Sequence, residues 1–205
     1  MKSKASLAFV ATLFSIFLTL GCGGGPKPYR LIAQAARSPE RPAVFLYDKR
    51  LRMNLREALL LAQPDSAISV SPYVTGGHAY LVGWVSSEDK RTALERAAGT
   101  VPELLTVTSY LPVKPTGEQV PDSASELELK TRVVGSLLAA SGSEKINITV
   151  EVLGTQAVLV GAVSSKGEIR RAEQAAGDTQ GITGVTNFLT VPDPGQAKRF
   201  GGFLR

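Results

Sequence analysis

Two stretches decide the architecture: Ala79-Tyr-Leu-Val-Gly-Trp-Val-Ser-Ser87 and Ala157-Val-Leu-Val-Gly-Ala-Val-Ser-Ser165. They stand 78 positions apart, and the same offset pairs Glu95 with Glu173, Ala97-Ala98-Gly99 with Ala175-Ala176-Gly177, and Val107-Thr108 with Val185-Thr186 without a gap. Upstream it still matches Leu51 to Leu129, Leu59-Leu60 to Leu137-Leu138, Val74 to Val152 and Gly76 to Gly154. A period this long exceeds that of a solenoid repeat and marks a duplicated module. Two domains of about 66 residues follow, at 48–113 and 126–191, joined by a Pro, Gly and Ser-containing stretch at 114–125.

Each module reads as helix, strand, strand, helix, strand. Leu51, Leu55, Ala58, Leu59 and Ala62 recur at helical spacing, as do Leu129, Val133, Leu137 and Ala140. Ile68, Val70 and Val74 alternate with Ser69, Ser71 and Tyr73, and Ile146, Ile148, Val150 and Val152 with Asn147, Thr149 and Glu151, which is a strand with one face buried. Gly76-Gly77 and Gly154-Thr155 turn the chain into second strands ending near Val85 and Val163. Ser165-Lys-Gly-Glu168 has capping-box spacing, and Gly99 and Gly177 are expected to end the following helices in a left-handed cap. Final strands are expected over about 105–113 and 185–191.

Strand alternation separates two faces. If Leu81 and Val85 face the helices, Tyr80, Val82 and Trp84 point the other way, where Tyr73 and Tyr110 join them. The second module offers Glu151, Val158, Val160, Ala162 and Phe188 at the equivalent face. A two-layer module leaves that face bare, and bare apolar faces usually meet something. The expectation is that these faces dock the modules together or against another envelope protein.

Composition narrows the chemistry. The 205 residues are 43% hydrophobic and 20% charged, which fits neither a disordered polyelectrolyte nor a polytopic membrane protein. One Cys allows no internal disulfide, and one His allows no multi-histidine metal site. Lys and Arg number 23 against 18 Asp and Glu; without Lys2 and Lys4 the net charge falls from +5 to +3. Those two lysines precede an apolar run from Ala5 to Leu20, a secretory leader pattern whose core, at about 16 residues, falls short of the ~20 needed to span a bilayer.

Thr19-Leu20-Gly21-Cys22 resembles the lipobox of bacterial lipoproteins, in which the Cys becomes the acylated N-terminus. Thr at the first of these positions departs from the usual large aliphatic residue. The resemblance implies a signal peptide at 1–21, a lipidated N-terminus and linker at 22–47, and, with Gly23 rather than Asp after the Cys, an outer-membrane address facing the periplasm. Ile146-Asn-Ile-Thr-Val-Glu-Val, Val158-Leu-Val-Gly-Ala-Val-Ser and Gly181-Ile-Thr-Gly-Val-Thr-Asn-Phe-Leu-Thr-Val191 resemble the BON domain of bacterial envelope proteins. The fold this implies is α+β: two tandem α-β-β-α-β modules, each a three-stranded mixed sheet with two helices on one face. In the first module Pro102-Glu103-Leu104 replaces the family's Gly-Val turn, so a longer or stiffer loop is expected there. Together the signal, lipobox and repeat resemble the dual BON-domain outer-membrane lipoproteins. Residues 192–205 read as a tail.

Reactive groupings are sparse. His78 after Gly76-Gly77 has no nucleophile, base or thiol beside it in sequence; Ser86-Ser87 and Ser164-Ser165 fit helix capping, and the glycine runs lack phosphate-loop context. No catalytic residue, metal or cofactor is expected, and no nucleic-acid partner. The binding candidates are cations on the first helix of each module, Lys49, Arg50, Arg52 and Arg56, then Lys130 and Arg132. Near an anionic bilayer each such cation is worth about 1 kcal/mol. The face candidates are Tyr73, Tyr80, Val82, Trp84, Tyr110 and Phe188. The expectation is a non-enzymatic lipoprotein that binds anionic phospholipid and supports envelope integrity. The alternative is a protein-binding scaffold of the division, peptidoglycan or secretion machinery that uses its open sheet faces.

Overall fold

A computed structural model describes residues 42–115, 123–142 and 147–192; Cys22, the leader and the tail lie outside these residues. In the first module, helix α1 (Pro42–Ala62) and a single turn α2 (Pro64–Ala67) lead into β1 (Val70–Thr75), β2 (His78–Gly83), α3 (Glu88–Gly99) and β3 (Thr106–Tyr110). The second runs α4 (Ser123–Ser141), β4 (Ile148–Leu153), β5 (Gln156–Ala162), α5 (Lys166–Gly177) and β6 (Gly184–Thr190). Each module is α+β with a three-stranded mixed sheet: β1 and β4 run antiparallel to β2 and β5, which pair in parallel with β3 and β6. Tyr73 opposes Tyr80 as Glu151 opposes Val158, and His78 opposes Thr106 as Gln156 opposes Gly184, so the register itself repeats at 78.

Both helices of a module lie on one sheet face. Leu55 and Leu59 of α1 and Leu94 and Ala98 of α3 close over Val70, Ala79 and Leu81; Val133, Leu137, Ala172 and Ala176 do the same over Val150, Ala157 and Leu159. Each module thus has its own core. Ser87 and Ser165 cap α3 and α5 by accepting from the amides of Lys90 and Glu168, and the Glu168 carboxylate reaches back to the Ser164 amide at 2.9 Å.

Four local expectations need correction. First, α1 begins at Pro42 rather than near residue 48, because Val44, Tyr47 and Leu51 extend its buried stripe backwards onto Val74 and Leu104. Second, Ile68 is 80% exposed: Pro64 starts the α2 turn, which carries Ile68 outward before β1 begins at Val70. Third, neither α3 nor α5 ends in a left-handed glycine; Gly99 and Gly177 are the last helical residues, and the chain leaves through Thr100 and Asp178 in right-handed conformation. Thr100 and Thr179 hydroxyls satisfy the final carbonyls instead, donating to Ala97 and Ala175. Fourth, the Pro102-Glu103-Leu104 loop is no longer than its counterpart. Glu103 takes φ +71° where Gly181 takes +94°, a left-handed conformation held by Tyr47 donating to the Glu103 carbonyl and by an Arg50–Glu103 ion pair.

Two devices recur in both copies. An acidic side chain on the first helix caps the hairpin turn: Asp48 accepts from the amides of Gly76 (2.6 Å) and Gly77 (2.8 Å), and Glu126 from the amide of Gly154 (2.7 Å). Gly83 and Gly161 let the preceding strand cross closely, since a Cβ at either would lie 2.1 Å from the Ser69 carbonyl or 2.4 Å from that of Asn147.

Burial pushes the Asp48 carboxyl up to about 6 from an ordinary value near 3.8, with the Gly76 and Gly77 amides pulling the other way. A folded value above the unfolded one means that the native state binds more protons between these limits. Asp48 therefore makes stability fall as pH rises from about 4 to 6. In Asp48→Asn that slope should flatten, while stability at pH 7 drops by about 1–3 kcal/mol because an amide donor now faces two backbone donors; urea titrations across pH check both. Gly161→Ala should cost about 2 kcal/mol or more through overpacking. Gly135→Ala, with nothing near its Cβ in the middle of α4, should gain about 0.5–1 kcal/mol.

Candidate functional site

The sheet faces turned away from the helices are packed on each other. Tyr80, Val82, Leu153, Val158 and Val160 form a third buried cluster, with Tyr73, Trp84, Tyr110 and Phe188 partly buried around it. Tyr80 stacks on Phe188 with ring centroids 5.2 Å apart and planes at 26°. Every candidate face residue, from Tyr73 to Phe188, is therefore in one cluster, and the two sheets are the inner layers of a stack whose outer layers are helices.

The contacts across this seam follow the duplication. Tyr73 and Glu151 occupy equivalent positions and meet directly, the tyrosine hydroxyl donating to the carboxylate, as they would about a local twofold axis. Glu151 also receives Lys130 Nζ at 2.9 Å. Burial, then the Glu151 hydrogen bond and charge, hold the Tyr73 phenol well above its ordinary pKa, so it stays a donor at any physiological pH. Trp84 Nε1 donates to Glu126 Oε1 at 3.0 Å, the same atom that accepts from the Gly154 amide, so one carboxylate caps a hairpin and anchors the neighbouring module. A cleft of about 300 Å3 lined by Trp84, Lys114, Glu126 and Glu151 opens at this edge of the seam.

Magnitudes rank these contacts. Val82, Val158 and Val160 are at most 2% exposed, and burying each contributes roughly 1.5 kcal/mol or more. The half-exposed Lys130–Glu151 pair contributes less than about 1 kcal/mol, so the apolar centre holds the modules together and the polar rim orients them.

The cationic candidates sit on the first helices and separate into two sets. Arg50 pairs with Glu103 and sits 5.3 Å from the Tyr47 ring centre; Lys130 is drawn to Glu151; Arg132 pairs with Glu128 and donates to the Gln180 carbonyl. Arg52 and Arg56 are exposed on α1, and Lys49 is half-buried between them and Leu46 in sequence. Asp48 and Glu126 were not among the residues singled out from the sequence, yet each caps a hairpin. Their shared acidity 78 positions apart, each 28 residues before a hairpin glycine, was the available signal.

Reactive groupings among the described residues remain few. His78 opens β2, and its Nδ1 lies 2.7 Å from the exposed Thr106 Oγ1. Ser87 and Ser165 are spent as helix caps. Among the described residues no cluster of three or more His, Cys, Asp or Glu is arranged to hold a metal ion, and no helix is long and apolar enough to cross a membrane.

An uncharacterised protein from the gshII 5′ region of Anaplasma centrale is 22% identical over 123 residues, covering 60% of this chain and 82% of that protein. Among solved structures, CdsD, a structural protein of the type III secretion system of Chlamydia trachomatis, overlaps with a TM-score of 0.30 at 16% identity, covering 75% of this chain and 68% of that one. The C-terminal domain of CdsD gives 0.28 at 18% identity, covering 71% and 67%. Scores this low carry no inference about arrangement or role. The BON domain matches twice, at residues 47–115 and 125–193, which are the two modules built around the separate cores. With two thirds of its length in those matches, the chain belongs to the BON-domain family as a tandem, two-domain member.

Proposed function

We propose that this chain is a non-enzymatic lipoprotein of the bacterial outer membrane, acylated at Cys22 and facing the periplasm, that binds anionic phospholipid and supports envelope integrity. The observation that carries the reading is the direction of the two kinds of surface. The aromatic sheet faces are occupied by each other, and the cation-bearing first helices form the outside. A tether at Cys22 would raise the effective concentration of those helices at the bilayer, so weak affinity per cation suffices. The ion pairs that hold Arg50 and Arg132 are exposed and worth under about 1 kcal/mol, so a lipid phosphate exchanges for Glu103 or Glu128 at small cost. A protein-binding scaffold working through open sheet faces lacks comparable support, because those faces are not open.

The test uses the Cys22→Ser chain, which cannot be acylated, and vesicles of phosphatidylcholine with or without phosphatidylglycerol. Co-sedimentation should require phosphatidylglycerol and weaken steeply with salt. Reversing Arg52, Arg56, Lys130 and Arg132 to Glu should reduce retention by at least about 100-fold, given ~1 kcal/mol per cation removed before repulsion is counted. Equal retention on phosphatidylcholine alone would contradict the reading.

A further inference from the structure

The two first helices are copies of one element, yet their outer faces differ. On α1, Leu46, Met53 and Leu60 follow one another at intervals of seven, and seven residues turn a helix to within about 20° of two full turns. They form a ridge opposite the buried stripe of Val44, Leu51, Leu55 and Leu59. All three are exposed, Met53 at 66%. Lys49 and Arg56 stand three residues after Leu46 and Met53, on one flank of the ridge, with Arg52 beyond them; Arg50 and Glu57 stand on the other. Leu61, near the end of the helix, and Ile68, after the α2 turn, are each 80% exposed.

The second module is an internal control. At the positions equivalent to Leu46 and Met53, α4 carries Ala124 and Thr131; at those of Lys49 and Arg56 it carries Leu127 and Val134. Its remaining cations, Lys130 and Arg132, are turned to Glu151 and Glu128. Duplication gave both helices the same inward face, but α4 exposes a single large apolar side chain, Leu127, and its cations are paired, whereas α1 lines up three such side chains beside a cationic row.

We infer that α1 is an in-plane membrane helix: its Leu46–Met53–Leu60 ridge enters the acyl boundary of an anionic lipid surface while Lys49, Arg52 and Arg56 reach the headgroup phosphates. The inference rests on the lipid reading above and assigns the contact to one module. Charge selects a lipid surface over an apolar protein groove, because flexible cationic side chains beside an apolar ridge can extend their heads to the phosphates as their stems follow the ridge. The 21-residue helix, roughly 30 Å long, lies flat on that surface. It is also the first described element after Cys22, 20 residues downstream of it.

Because the chain has a single cysteine, the Cys22→Ser background accepts one environment-sensitive dye at a chosen site. Met53→Cys and Thr131→Cys chains carrying the dye are mixed with phosphatidylglycerol-containing vesicles, with binding followed independently by sedimentation. The dye at 53 should brighten severalfold and shift to the blue; the dye at the equivalent position 131 should remain solvent-like. Met53→Asp, at an exposed site that leaves the core intact, should lower vesicle affinity by roughly tenfold or more. A chain that sediments with vesicles while the dye at 53 stays solvent-like, or while 131 responds equally, overturns this inference and leaves phospholipid binding standing. A chain that does not sediment at all removes both.

Discussion

The packing of one bare sheet on another is the contact on which the rest depends. A three-stranded sheet with both helices on one side has a second side made of the alternate residues of the same strands, and in this chain those residues are Tyr80 and Val82 in one copy and Val158 and Val160 in the other. Water cannot satisfy that surface. Duplication supplies the cover, since a second copy of the module brings a second face of the same shape. The direct meeting of Tyr73 with Glu151, its own counterpart, is what a nearly symmetric pairing of two copies produces.

The pairing is not quite symmetric, and the differences have structural uses. Trp84 faces Glu126, whereas its counterpart Ala162 has no such reach. Glu151 is held between Tyr73 and Lys130, so a carboxylate at the seam keeps both a donor and an opposite charge. The helices then become the outer layers of both modules. Divergence on those outer faces is free to serve binding, because α1 and α4 enter the cores only through their inward stripes.

Most of the architecture was legible in the sequence because it rests on periodicity. The offset of 78, the alternation in β2 and β5 and the helical stripes from Leu51 and Leu129 fix the element order and the face that Tyr80, Val82 and Trp84 share, while the mixed sheets were implied by the resemblance to the BON domain. What escaped depends on single residues interacting across distance. The α1 extension to Pro42 needed Val74 and Leu104 as partners for Val44 and Tyr47. Ile68 looked like a strand residue until Pro64 began a turn before it. The carboxylates of Asp48 and Glu126 resembled ordinary helix charges, since nothing local indicates that each bonds a hairpin amide 28 residues on. The cationic candidates were visible as charges, but the ion pairs that separate Lys130 and Arg132 from Arg52 and Arg56 arise only in three dimensions.

Face-to-face packing of the sheets is the central claim, and the chain's one tryptophan reports on it. Trp84 lies half-buried at the seam with its indole nitrogen bonded to the other module. In the native chain its emission should be blue-shifted from that of a free indole and shielded from iodide. Val160→Asp, which places a charge in the seam on the other module, should move that emission to the red and expose the indole while far-UV circular dichroism stays native. A Trp84 that emits as a solvated indole in the folded native chain, or that ignores Val160→Asp, would contradict the account.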